Sequence, residues 1–230
     1  VGLGNRIAEL EGQEREEERR VLRQLSASVA EEEGSLMAMQ HCLAQLDLGL
    51  ARARYGAWLG AVKPILGSPG WQLKDLRHPL LMWQERQQAG SPVVPVSLQI
   101  EAPLRVVAIT GPNTGGKTVT LKSLGLATLM ARAGLFLPCS GTPQLPWCEA
   151  VLADIGDEQS LQQNLSTFSG HVRRIARILE ALRNLGDAPV PALVLLDEVG
   201  AGTDPSEGAA LATALPVSYT HLRAHETCTN

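Results

Sequence analysis

The order of patterns along the chain predicts an α/β fold with a mixed sheet, preceded by a helical subdomain. Three observations carry that expectation. Helical periodicity fills residues 5–62. An apolar run, a glycine-rich loop and an amphipathic pattern follow one another over residues 105–133. A second apolar run, Ala192 to Leu196, ends in the carboxylates Asp197 and Glu198.

In the first region Ile7, Leu10, Val21, Leu22, Leu25 and Val29, then Leu36, Met39, Leu43, Leu46 and Leu50, recur at three- and four-residue spacings. That spacing predicts two helices, and Gly34 predicts the break between them. Charges gather between Glu11 and Arg20, where Glu11 with Arg15 and Glu16 with Arg20 stand four apart on what reads as a solvated face. Lys63 to Gly70 is dense in proline and glycine, which stops a helix and opens a loop. We therefore expect a helical part over 1–62 and an α/β domain over 63–215. His78, ahead of Pro79, reads either as a turn residue or as one close to the nucleotide. Val93 to Ile100 alternates as a strand whose Pro95 suits a sheet edge.

Residues Gly111, Pro112, Asn113, Thr114, Gly115, Gly116, Lys117 and Thr118 match G-x-x-x-x-G-K-[ST]. The apolar run Arg105 to Thr110 is the strand such a loop leaves. Val119 to Ala133, with Leu121, Leu124 and Leu129, is the helix it enters. Glycines let successive backbone N–H groups turn inward around phosphates, a lysine reaches the β and γ oxygens, and a Thr hydroxyl can ligate Mg2+. A nucleoside triphosphate with Mg2+ is the expected ligand.

The run Ala192 to Leu196 reads as a buried parallel strand. At its carboxyl end Asp197 would hold the metal, and Glu198 would orient or deprotonate an attacking water. Upstream, Ser166 and Thr167 precede Val172, Ile175, Ile178, Leu179 and Leu182 at helical spacing. A helix opening with hydroxyls and unsatisfied N–H groups suits an anion, although an ordinary cap has the same appearance. Arg173 and Arg174 read as solvated, with an arginine finger as the alternative.

Composition narrows the class. The chain is 44% hydrophobic and 19% charged with net charge −4, and no apolar run is long enough to cross a bilayer. The acidic balance offers no basic stripe for a nucleic-acid backbone. Cys42, Cys139, Cys148 and Cys228 form no C-x-x-C pair, which argues against a metal cluster and fits a reducing cytoplasm. The opening residues are not signal-like, and a start at Val1 without Met suggests an internal fragment.

In this order and spacing, Leu46-Asp47, Ala51 to Arg54, Arg77 to Leu80, Thr118 to Lys122, Asp154 to Ser160, Ser166 to His171 and Gly200 to Pro205 resemble the ATPase domain of the MutS family, a branch of the ABC-type P-loop NTPases. The wording is closest to its bacterial paralogue subfamily linked to suppression of recombination. The resemblance spans about residues 45 to 215. It implies ATP and Mg2+ as cofactors, with Gly111 to Val119, including Val119 itself, around the nucleotide. It implies a homodimer in which Ser166 and Thr167 of one subunit face the γ-phosphate held by the other. Asn113 would help place the water or γ-phosphate, Asp204 would communicate across the interface, and Gln159 would couple nucleotide state to the rest of the molecule. Val93 would lie near the adenine. The helical region would be the tail of a lever leading to a nucleic-acid clamp, or simply a packing pair of helices.

The residues after Pro216 do not follow the family's pattern, and 216–230 reads as a non-native tail; His221 lies too close to Asp204 to be the family's γ-phosphate sensor. The resemblance leaves three roles open: an ATP-driven clamp on branched or recombination DNA in a parent protein carrying an Smr endonuclease, an ATPase that splits stalled ribosomes through rRNA contacts, and a mismatch-repair ATPase. A nucleotide switch with negligible hydrolysis is the non-enzymatic alternative, against which Glu198 argues.

Overall fold

The computed structural model describes residues 2–88, 92–111, 116–156, 167–185, 191–199, 204, 206, 210 and 213–215, with side chains of the helix at 167–185 described from Gly170 onward. The tail 216–230 lies outside the described residues.

The periodic first region forms α1 (Gly2–Glu31) and α2 (Glu33–Leu59). The break falls at Glu32 rather than Gly34. The Leu36 N–H still bonds the Glu32 carbonyl at 2.9 Å, so the helical ladder resumes at once after that residue. Arg20 pairs with Glu17 at 2.5 Å, three residues away, in place of the expected Glu16. The α2 helix ends at Gly60, earlier than the proline-rich loop. Gly60 adopts φ 61°, and the Ala61 N–H reaches back to the Gly56 carbonyl while the Gly60 N–H bonds Ala57. That is a Schellman closure, which needs a left-handed residue and so favours glycine.

The chain divides into two compact units, Val1–Ala53 and Arg54–Asn230, with the division inside α2. In the first unit the described side chains are exposed almost throughout, so its leucines stand in water.

The second unit holds β1 (Ile65–Leu66), β2 (Trp71–Leu76), α3 (Pro79–Gln88), β3 (Val96–Ile100), α4 (Lys117–Arg132), β4 (Ser140–Leu145), β5 (Ala150–Asp154), α5 (Thr167–Asn184) and β6 (Ala192–Leu196). Its strands form two sheets. One is mixed, in the order β1-β4-β2-β3, with β1 parallel to β4 and the other pairs antiparallel. The other is the parallel pair β5-β6, in register from Ala150 opposite Ala192 to Asp154 opposite Leu196. Pro95 sits just ahead of the edge strand β3, where its missing N–H costs no ladder bond.

Arg105 to Thr110 departs from expectation. These residues adopt no strand pairing, and Val106, Val107 and Ile109 are 42%, 48% and 38% exposed. A strand exists only where a neighbour completes its ladder, and β6 has a partner only in β5 among the described residues.

One apolar cluster underlies the second unit, from Leu59 through Leu73, Leu76, Leu137 and Leu145 to Leu193 and Leu195. Burying each such leucine contributes roughly 1.5–3 kcal/mol. Helix α4 lies on β5 and β6 and is buried on most sides, with Leu124, Ala127, Met130 and Ala131 inward. Leu129 is 48% exposed, whereas Ser123 and Thr128 are buried and the Thr128 hydroxyl donates to the Leu124 carbonyl. A Cβ on Gly125 would stand 2.6 Å from Leu195 Cδ1, so the buried leucine side chain would have to shift to admit one.

Candidate functional site

Gly116 takes φ 76°, ψ 17°, a left-handed turn that glycine adopts without steric cost, and Lys117 then opens α4. The Thr120 N–H bonds back into the turn, to the Gly116 carbonyl at 2.9 Å. The helix has no side-chain cap hydrogen bond at Gly116, and its first turn carries no acidic residue. The helix dipole makes this end of α4 electropositive. Lys117 Nζ donates to the Gly111 carbonyl at 2.6 Å, lying back over the loop's own opening.

The end of β6 meets this helix start. Thr118 Oγ1 donates to Asp197 Oδ2 at 2.6 Å across 79 residues of sequence. Asp197 is buried at 9% exposure. The hydroxyl spends its proton on the carboxylate and keeps its lone pairs, which is the arrangement a hard cation accepts. Glu198, the next residue, is exposed and holds φ 48°, a left-handed conformation unfavourable for a glutamate. Such strain concentrates at sites where a side chain must be aimed.

These features fit ATP with Mg2+. The helix start and Lys117 suit phosphates, and the Thr118 and Asp197 oxygens suit a cation that takes its other ligands from phosphate and water. Among the described residues no cluster of three or more His, Cys, Asp or Glu forms an all-protein metal cage. Pro112, Asn113, Thr114, Gly115, Gln159 and Ser166 lie outside the described residues. Thr167 begins α5, the helix expected there. Asp204 is exposed, and its Oδ1 accepts from the Ser206 N–H at 2.8 Å and from the Ser206 hydroxyl at 2.5 Å, capping a helical turn.

His78 is a turn residue in the structure: it precedes α3, its carbonyl accepts from the Met82 N–H, and Pro79 takes the first helical position. Its Nδ1 is buried with no hydrogen bond. Burial, and then the charge of Lys122 on α4, hold its pKa below the ordinary histidine value. Val93 is half-buried, and its N–H bonds Glu85 Oε2 at 3.3 Å.

Periodicity placed both Arg173 and Arg174 on a solvated face. Both are exposed, and the Arg174 Nε in addition donates to Asp154 Oδ1. His171 Nδ1 lies 2.8 Å from Asp154 Oδ2 and 3.3 Å from Arg174 Nη2. Asp154 is 3% exposed, and its backbone carbonyl accepts from the Asp197 N–H at 2.9 Å. The available signal was the register of α5: His171 and Arg174 continue the inward stripe of Ile175 and Ile178 by one turn, opposite a carboxylate ending an apolar strand.

The family model of MutS domain V matches residues 107–229. Proteins described as Endonuclease MutS2 align across most of the chain. That of Synechocystis sp. is 54% identical over 94% of this chain and 28% of its own length. That of Shouchella clausii is 47% identical over 94% and 26%. That of Symbiobacterium thermophilum is 43% identical over 99% and 27%. The chain thus spans about a quarter of the length of these curated relatives. With domain V matched over the half that holds the phosphate loop and the carboxylate strand, and with these relatives matched across nearly the whole, the chain belongs to the MutS family, on its MutS2 branch.

Proposed function

We propose that this chain is the ATP-binding and ATP-hydrolysing part of a MutS-like DNA-binding protein that acts on branched or recombination DNA. The observation that carries this reading is the Thr118 to Asp197 hydrogen bond, which joins the two halves of a nucleotide site. Lys117 releases the Gly111 carbonyl to neutralise the β and γ oxygens. Thr118 and Asp197 would hold Mg2+, which would supply positive charge to offset that of the phosphates. Glu198 takes the proton of a water whose oxygen attacks the γ-phosphorus as the bond to the bridging oxygen breaks, giving ADP and phosphate. Asn113 places that water or the γ-phosphate.

The partner subunit of a homodimer completes each site with its Ser166 and Thr167. Asp204 lies at that interface, and Gln159 relays the nucleotide state. The endonuclease activity in the relatives' name is assigned to no residue of this chain. Among the described residues no helix is long and apolar enough to cross a membrane.

In the full-length protein, Lys117→Ala should abolish ATP binding, whereas Glu198→Gln should preserve binding and slow turnover about 100-fold or more. Unchanged turnover in Glu198→Gln would overturn the catalytic assignment. DNA affinity that ignores both salt and DNA structure would overturn the DNA-directed role.

A further inference from the structure

Asp154, at the end of β5, bonds to two further elements around the nucleotide site. Its strand position belongs to β5. Its backbone carbonyl holds the Asp197 N–H beyond the end of β6. Its two carboxylate oxygens take Arg174 Nε and His171 Nδ1 from α5. A buried carboxylate is a costly way to attach a helix, because apolar contact would serve at lower desolvation penalty. What the charged contact adds is direction. Ile175 and Ile178 are buried and α5 packs on β5, but apolar contact of that kind would tolerate sliding or rotation of the helix. Two hydrogen bonds to the two oxygens of one fixed carboxylate do not.

The pinned residues sit close to the end that matters. Thr167 is four residues before His171, about 6 Å along the helix axis. On the other side, Asp197 passes to Thr118 through its own carboxylate. A continuous hydrogen-bonded path therefore runs from the start of α4, through Asp197 and Asp154, to the first turns of α5.

Resting on the ATPase reading above, we propose that Asp154, His171 and Arg174 form a positioning cluster that locks the start of α5 to the strand end carrying Asp197, so that occupancy of the phosphate loop and placement of Thr167 change together. These residues touch neither phosphate nor metal. They fix the geometry with which α5 is offered to the partner's nucleotide.

The test uses the full-length protein with Asp154→Asn, Arg174→Met and Arg174→Lys, reading ATP affinity, KM, kcat and amide hydrogen exchange of residues 167–184 with and without Mg·ATP. Asp154 is buried, so Arg174→Met, whose side chain is 47% exposed, keeps the test open if Asp154→Asn does not fold. We expect Arg174→Met to leave ATP affinity within about threefold, to lower kcat about 10- to 100-fold, and to abolish the slowing of α5 exchange by Mg·ATP. Lysine at 174 restores a cation beside Asp154 and should recover kcat to within about threefold of wild type. Unchanged kcat and exchange in Arg174→Met would overturn the inference. So would equal losses in the methionine and lysine variants with ATP affinity falling in parallel, since that pattern marks general structural damage. Wild-type protein that neither binds nor hydrolyses ATP overturns the ATPase reading itself; intact wild-type turnover with unmoved variants overturns only the positioning role.

Discussion

Thr118 and Asp197 stand 79 residues apart and share a hydrogen bond of 2.6 Å, which places the start of α4 against the end of β6. Neither residue reaches the other through local structure. Their meeting depends on α4 lying flat on the β5-β6 pair, and on the backbone bond from Asp197 to Asp154 that aligns the two strand ends.

Glu198 holds a left-handed φ of 48°, and glycine would hold it without strain. We expect Glu198→Gly to leave folding stability unchanged or raise it by up to about 1 kcal/mol, as release of strain is partly offset by glycine's unfolded-state entropy. ATP hydrolysis should be lost in the same variant. Urea unfolding paired with turnover checks this, and a clear loss of stability would show that the glutamate is held by contacts rather than against its own preference.

Gly125 lets α4 approach β6 until a Cβ would clash with Leu195 Cδ1. Gly125→Val should cost about 1–3 kcal/mol through overpacking, despite the better helix propensity of valine over glycine. The displaced helix should also weaken Mg·ATP binding, because Thr118 rides on it. Denaturant midpoints together with nucleotide affinity report both effects, and a stable variant that binds normally would contradict the packing argument.

His78 is half-buried with its Nδ1 unbonded, and burial followed by the Lys122 charge lowers its pKa below 6.5. In that case the unfolded chain binds the proton more readily than the folded one. The stability this histidine allows is complete above pH 6.5 and is lost as pH falls from there toward its folded-state pKa. His78→Gln should flatten the stability difference between about pH 7.5 and about pH 5.5 relative to wild type. Identical pH profiles of the unfolding free energy would contradict it.

Two elements of the candidate site were legible because their patterns are local. The α4 pattern and the apolar strand leading to Asp197 and Glu198 each state their structure within a few residues. What escaped reading depends on partners distant in sequence. Arg105 to Thr110 has a strand's composition, but pairing is a property of neighbours, and the described residues supply none. Arg174 sits where helix periodicity alone suggests water, and only the position of β5 turns it onto Asp154. Ser123 and Thr128 are buried in α4, Thr128 with its hydroxyl bonded to its own helix, an option hydrophobic counting does not register. The break at Glu32 rather than Gly34 shows glycine tolerated within the first turn of a helix, where ladder bonds are incomplete anyway.

The measurement that bears most directly on the nucleotide site is a double-mutant cycle on Mg·ATP affinity in the full-length protein, using Thr118→Ala, Asp197→Asn and the pair. If the hydroxyl and the carboxylate hold one cation as a unit, each single change should weaken Mg2+-dependent binding about tenfold or more, and the pair should lose little beyond the worse single variant. Losses that simply add, or affinities that do not respond to Mg2+ in wild type, would contradict the account.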